Sequence, residues 1–196
     1  METTLQNAMI GSPPVAVRAQ ASHWSTKELV TIGVFATVIK AATIMVAYMG
    51  GGMNPVTLVA KNWLYATLMV VLLHKVPKKW TLTLAVGITS LVSMLLMGQR
   101  MMHAPAAVLA AFIAEFLILR AGGYGKTFVI VAGIVLAELL AKALGLGISW
   151  LMMREQPAML IPASIAVFIG TFGTFFGAFS GVRFMKELRH AGIITD

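Results

Sequence analysis

Six long apolar stretches constrain this chain more than any other feature of its sequence. A helix needs roughly 20 apolar residues to cross the hydrocarbon core of a bilayer. Stretches of about that length, separated by charged residues, glycine or proline, lie at residues 28–48, 56–74, 80–98, 104–120, 127–152 and 159–184. Because lipid offers no partner for backbone amides, each stretch is expected to form an α-helix. The sequence therefore predicts an all-α integral membrane protein with a single bundle of about six transmembrane helices.

The composition agrees with a surface that faces lipid. Charged residues make up 11% of the 196 residues, whereas soluble domains carry about 25%. The expected organisation is a flexible cytoplasmic tail at 1–26, the helix bundle at 27–190 and a short tail at 191–196. The first 24 residues contain no apolar core of the kind found in a signal peptide. The spans and loops leave no length for a separate catalytic domain.

The basic residues predict the orientation of the bundle, because loops on the cytoplasmic side of a membrane are enriched in lysine and arginine. With six spans, both tails and two of the loops share one side. That side carries ten basic residues, and the other carries Arg100 and Arg154. The protein is therefore expected to lie in the plasma membrane with both termini on the cytoplasmic side. The net charge of +8 is scattered over the ends of the spans, so it does not indicate nucleic-acid binding.

Small residues recur at four-residue spacing in three of the predicted helices, which places them on one face and allows close approach of a second helix. In the fifth and sixth helices this pattern favours packing inside the bundle. In the first helix, packing and docking of a partner protein remain alternatives. The residues are Gly33, Thr37 and Ala41 in the first helix, Gly133, Ala137, Ala141 and Gly145 in the fifth, and Gly173, Gly177 and Gly181 in the sixth.

Five ionisable residues lie within the predicted spans, where a charge that faced lipid would cost several kcal/mol. They are Lys40, Lys61, Glu115, Glu138 and Lys142. Glu138 and Lys142 are four residues apart on one helix, so an intramembrane ion pair is expected. Alternatively, Lys40, Glu115, Glu138 and Lys142 would form the ion or proton path of a stand-alone secondary transporter or channel.

The first outer loop combines flexibility with an immersed charge. It reads Gly50-Gly51-Gly52-Met53-Asn54-Pro55, and Lys61 follows inside the second span. Without Lys61 that span would be too short to cross the bilayer, so Lys61 is expected to lie below the outer boundary beside a polar neighbour. A flexible lid over a polar pocket and a simple tight turn are both consistent with these glycines.

Catalytic and cofactor motifs are not found in the sequence. There is no cysteine, and the four histidines are isolated. The segment from Arg120 to Thr127 has an arginine where a phosphate-binding loop needs its first glycine, which favours a hairpin between spans. We expect no enzyme activity, no cofactor and no metal. A soft metal or haem site made by His103 and the outer methionines is the less favoured alternative.

Three features together resemble one family. They are the segment from Lys27 to Ile39 (KELVTIGVFATVI), the Gly-Gly-Gly-Met-Asn-Pro loop, and the size of six spans. The chain resembles an S component, the substrate-binding membrane subunit of an energy-coupling factor (ECF) transporter, in the Trep-Strep-like group. Such S components usually carry an Ala-x-x-x-Ala pattern on the first helix, where this sequence has Gly33, Thr37 and Ala41.

The resemblance implies a six-helix bundle that captures a vitamin or related micronutrient from outside, under the first loop. Transport would require a transmembrane T component and two cytoplasmic ATPases, and Gly33, Thr37 and Ala41 of the first helix are the expected partner-docking residues. The expected substrate-binding residues are Met53, Asn54, Lys61, Asn62, Trp63, His103, Trp150 and Arg154. Lys61 favours an anionic ligand and the methionines favour an aromatic or macrocyclic one, so the sequence does not identify the substrate.

Overall fold

The computed structural model describes residues 24–51, 54–97, 103–152, 158 and 160–190. These residues contain six α-helices and no strand. The helices are α1 (Thr26–Met49), α2 (Pro55–Lys75), α3 (Thr81–Met97), α4 (Ala104–Arg120), α5 (Thr127–Met152) and α6 (Leu160–His190). The predicted all-helical fold is therefore confirmed. The two predicted tails lie almost entirely outside the described residues.

Within the described residues, four of the six predicted spans form helices long and apolar enough to cross a bilayer, namely α1, α2, α5 and α6. The other two helices, α3 and α4, have 17 residues each. The last helix extends beyond the predicted span, to His190 rather than to residue 184. The sequence after 184 is polar but contains no glycine or proline before His190, so the helix continues after its apolar character ends.

Short connections between consecutive helices make their directions alternate, so the bundle has two distinct ends. One end, here called the loop end, contains the connection from Gly50 to Asn54 and the first residues of α4 and α6. The opposite end, here called the terminal end, contains the first turn of α1 and the last turn of α6. Lys78 in the α2–α3 connection joins this end to α1 through a 2.7 Å salt bridge with Glu28.

The most extensive contact between helices joins α2 and α6. A Cβ atom added at Gly173 or at Gly177 would lie 2.3 Å from a backbone carbonyl oxygen of α2, at Val59 or Trp63 respectively. Thr67 of α2 adds hydrogen bonds to the Gly177 carbonyl oxygen at 3.0 Å and to the Ser180 hydroxyl at 2.9 Å. The small residues of α6 are thus used in packing inside the bundle, as their spacing predicted.

Candidate functional site

A cavity lined by both polar and apolar side chains lies between the helices in the half of the bundle nearest the loop end. Its volume is about 570 Å³, within the range of small-molecule sites. The lining extends from His103 and Ser149, near the helix ends, to Glu138 at about the middle of α5. All six helices contribute lining residues. The space therefore reaches the centre of a bundle whose outer surface is apolar.

Charged and hydrogen-bonding side chains from different helices converge on this cavity. Lys40 of α1, Lys61 of α2 and Lys142 of α5 all line it, and so does Glu138. Lys40 is 7% exposed and Asn62 is 9% exposed, so both are buried in the protein. Hydroxyl groups of Thr43, Thr89, Ser90, Ser93 and Ser149 add further polar atoms to the wall. Ionisable groups at this depth are expensive in a membrane and usually mark a functional site.

The α5 side of the cavity is built around Lys142. Its Nζ lies 3.3 Å from Glu138 Oε1 and 3.4 Å from Thr174 Oγ1, so the ion pair expected from the four-residue spacing is present. Asn62 approaches from α2 and donates an amide hydrogen to its own helix at the Leu58 carbonyl oxygen, 2.8 Å away. Both groups border Gly170, where an added Cβ would lie 2.5 Å from Asn62 Nδ2 and 3.6 Å from Lys142 Nζ. Glycine on α6 is what makes room for these polar groups.

Gly50, Gly51 and Asn54 are the described residues of the connection between α1 and α2, whose adjoining helix ends line the cavity at Ala47 and Leu58. Thr57 Oγ1 donates a 2.9 Å hydrogen bond to the Gly50 carbonyl oxygen, so closely that a Cβ at Gly50 would collide with it. Gly51 has a φ of +70°, which glycine adopts without strain. Asn54 caps α2 by accepting a 3.0 Å hydrogen bond from the Val56 amide. The described part of this connection is thus tied to α2, and Met53 lies outside the described residues.

The structure brings together some of the predicted binding residues and separates others. Lys61, Asn62 and His103 line the cavity. Asn54 lies at the helix cap, and the side chains of Trp63 and Trp150, 41% and 53% exposed, are not among the residues that line the cavity. Arg154 lies outside the described residues. The sequence-based set therefore contributes three residues to the described wall.

Four further residues line the cavity without belonging to the predicted binding set, namely Lys40, Tyr65, Glu138 and Lys142. The sequence predicts an ion pair or a transport path for Lys40, Glu138 and Lys142, and no role for Tyr65. A signal for them was present in the sequence. Polar and small residues at three- and four-residue spacing, such as Lys40, Thr43 and Ala47 on α1, mark a polar face within an apolar helix.

Glu115, by contrast, lies apart from the cavity in a closed cluster of hydrogen bonds. Its side chain is fully buried. Oε2 accepts from the Thr83 amide at 3.0 Å and from the Thr83 hydroxyl at 2.5 Å, while Oε1 accepts from the Tyr124 hydroxyl. Burial, with the nearby Glu115 carboxylate adding to the effect, raises the pKa of the Tyr124 phenol, which therefore remains a donor at neutral pH. This cluster ties the α4–α5 hairpin to α3.

The small residues of α1 lie on the outer surface of the bundle. No heavy atom comes within 4 Å of the position that a Cβ would take at Gly33, and Thr37 and Ala41 are exposed. The Thr37 hydroxyl donates to the Gly33 carbonyl oxygen within the same helix, at 2.9 Å. Gly33, Thr37 and Ala41 together are called the α1 stripe below. It presents a shallow surface whose hydroxyl donor is already satisfied.

Comparison with protein families identifies the chain at the family level. Residues 26–189 match the model of a family described as hypothetical bacterial integral membrane protein (Trep_Strep). The match covers most of the chain and all six helices, so this protein belongs to that family of bacterial integral membrane proteins. No curated protein and no solved structure shows significant similarity to the chain.

Proposed function

We propose that this protein is the substrate-capture subunit, the S component, of an ECF-type importer. In this function it binds a vitamin or related micronutrient from the extracellular side and delivers it together with a T component and two cytoplasmic ATPases. The protein itself catalyses no reaction and carries no cofactor. Both termini are cytoplasmic, and the loop end faces outward.

The cavity is the observation that carries the proposal. A capture subunit needs a pocket large enough for a small molecule, and the cavity near the loop end meets this requirement. The lysines and Asn62 supply polar contacts, while Ile39, Leu146 and Val167 supply apolar wall. This mixture suits an amphipathic metabolite better than a bare ion.

The α1 stripe supplies a surface for the T component. Small residues allow the backbones of two membrane helices to approach closely, and dispersion contacts then stabilise the pair. The comparable residues of α6 are occupied by α2, whereas the position of a Cβ at Gly33 is open. Within the described residues, α1 therefore offers a small-residue face that the bundle itself does not fill.

Orientation is tested by labelling with a membrane-impermeant maleimide. The chain contains no cysteine, so single substitutions can be made directly in the natural sequence. Val56 at the loop end and Lys79 at the terminal end are both exposed. We expect Val56→Cys to react in intact cells and Lys79→Cys to react only after the membrane is opened. The reverse pattern would contradict capture from outside.

Partner binding is tested by copurification of the tagged full-length protein from native membranes. We expect a T component and two ATPases to copurify with the wild type. Ala41→Leu, which adds bulk to the α1 stripe, is expected to reduce their recovery at least about tenfold, or 1.4 kcal/mol. Ala143→Leu is the matched control, because Ala143 is also an exposed alanine, but on α5. Failure to recover any of the partners with the wild type would overturn the proposal.

A stand-alone secondary transporter is the second candidate, because Lys40, Glu138 and Lys142 line one cavity. Glu115, the fourth residue of that path, instead makes its described hydrogen bonds with Thr83 and Tyr124. This alternative predicts ion-coupled flux by the purified protein alone in liposomes. An ECF subunit would give no flux until the T component and ATPases are added.

A further inference from the structure

Three lysines from three helices share the cavity with a single acidic residue. Lys40, Lys61 and Lys142 are far apart in the sequence and meet only in the folded bundle. Among the described residues that line the cavity, Glu138 is the only carboxylate. Counted formally over lysine and glutamate, these described side chains contribute three positive charges and one negative charge. The described part of the cavity wall therefore has a formal excess of positive charge.

This charge imbalance has a strong effect because of where it lies. Charges in a pocket with low-dielectric walls interact much more strongly than they do in water. Burying three ammonium groups inside a membrane bundle has a substantial free-energy cost, and a bundle that only needed to pack would place apolar residues at these positions. A bound anion would offset part of that cost. It would also be selected over a cation of the same shape.

Lys142 and Asn62 both line the cavity and lie close together near Gly170. Lys142 has three N–H donors, and its described contacts with Glu138 and Thr174 use two of them. Asn62 has two amide donors, of which one goes to Leu58. Within the part of the chain that the structure describes, each group thus has a further donor, and both border Gly170.

We propose that the cavity binds a small molecule that carries an anionic group, a carboxylate or a phosphate, on an apolar body. The anionic group is held by Lys142 and Asn62, which both line the cavity, with Lys40 and Lys61 contributing positive potential. The apolar body packs against Ile39, Leu146 and Val167. This inference rests on the proposed function and narrows its substrate class from micronutrients in general to anionic ones.

The test compares three probes that have one aromatic body and different charge. The full-length protein in phosphatidylcholine nanodiscs is titrated with 2-naphthoate, neutral 2-naphthamide and cationic (2-naphthyl)methylammonium. The apparent affinity is obtained from the rise in the thermal unfolding midpoint. We expect naphthoate to bind at least about tenfold more tightly than the amide, with the cation weakest. Equal affinities, or no stabilisation by naphthoate, would overturn the inference.

Two substitutions with opposite expected effects test whether the preference for the anionic probe arises in the cavity. Lys142→Met removes a positive charge and should weaken naphthoate binding about tenfold, while Glu138→Gln removes the negative charge and should strengthen it. The second variant keeps the test decisive if the first fails to fold. Lys79→Met is the matched control, since Lys79 is an exposed lysine at the terminal end. A preference that is unchanged in both cavity variants would contradict the assignment.

An anionic lipid headgroup has the same chemistry as a free anionic metabolite, so the titration is repeated at high salt in nanodiscs that contain phosphatidylglycerol. Unchanged naphthoate affinity supports a free metabolite. Displacement of naphthoate would assign the site to a lipid and contradict the importer function, although the anion preference would stand. If the partners copurify but the protein shows no preference for the anionic probe, the inference about the substrate is rejected and the proposed importer function stands.

Discussion

The small residues of α1 and of α6 recur at the same four-residue spacing, but their surroundings differ. On α6, Gly173 and Gly177 lie directly against the backbone of α2. On α1, the position of a Cβ at Gly33 is open. Small residues at four-residue spacing therefore indicate that a helix can pack closely, but they do not identify the helix or protein against which it packs. Substitution of glycine by alanine, the smallest change available, measures the difference directly.

The largest effect is expected at Gly177. An added Cβ would lie 2.3 Å from the Trp63 carbonyl oxygen, and backbone cannot move aside as a side chain can. We expect Gly177→Ala to lower the free energy of unfolding by about 2 to 3 kcal/mol, measured by titration with sodium dodecyl sulfate in mixed micelles. Gly87→Ala on α3 serves as the control, because no atom lies within 4 Å of its Cβ position. Equal stability of the two variants would show that the α2–α6 contact is looser than described here.

A smaller effect is expected at Gly133 on α5. Its added Cβ would lie 2.3 Å from Ile118 Cδ1 and 2.4 Å from Ile118 Cγ1, and these side-chain atoms can shift more readily than backbone. Alanine also has a higher helix propensity than glycine, which offsets part of the strain. We expect Gly133→Ala to cost about 1 kcal/mol in the same titration. A cost as large as that at Gly177 would mean that Ile118 has no alternative rotamer.

Removal of the Thr67 hydroxyl examines the polar part of the α2–α6 contact without adding volume. Thr67→Val removes the hydroxyl that contacts the Gly177 carbonyl oxygen and the Ser180 hydroxyl across the interface and the Trp63 carbonyl oxygen of its own helix. Ser180 keeps its bond to the Gly177 carbonyl oxygen at 3.0 Å. Hydrogen bonds between membrane helices average about 0.6 kcal/mol, and we expect a loss of that size. Thr31→Val on α1 is the control, because its hydroxyl bonds within its own helix. If Thr67→Val lowered the free energy of unfolding more than Gly177→Ala, hydrogen bonding rather than close packing would dominate the α2–α6 contact.

The smallest change is expected at Gly33, and it is a gain. Because its Cβ position is open, Gly33→Ala should add helix propensity without strain and raise the free energy of unfolding by about 0.5 kcal/mol. The measurement is the same detergent titration on the isolated protein. A loss of stability would show that α1 packs against the bundle through the α1 stripe, which would remove the docking surface from the proposed function.

Much of the fold follows directly from the sequence, because it depends on local properties. Apolar length and the need to satisfy backbone amides in lipid predict all six helices, and every helix end except that of α6 within a few residues. The contact between Glu138 and Lys142 follows from their spacing on one helix. The end of α6 at His190 was missed because apolar length predicts where a helix leaves the membrane, not where it stops being helical.

The cavity could be predicted only in part, because it depends on how helices are rotated about their axes. Lys61, Asn62 and His103 were found from their position near the loop end. The sequence also predicts Trp63 as a cavity residue, because it follows Asn62. One step along a helix turns a side chain by about 100°, and Trp63 is 41% exposed and does not line the cavity. The separation of Glu115 from the cavity also required the tertiary structure, since its partners Thr83 and Tyr124 belong to other segments.

The sequence by itself determined an integral membrane protein of six helices with intramembrane charges, because apolar length and charge act locally along the chain. The tertiary structure alone decided that Lys40, Lys61 and Lys142 share one cavity with Glu138, and that α2 covers the glycines of α6 but leaves the α1 stripe open. The physical reason is that these outcomes depend on which faces of distant helices meet. That choice is made by packing the whole bundle at once.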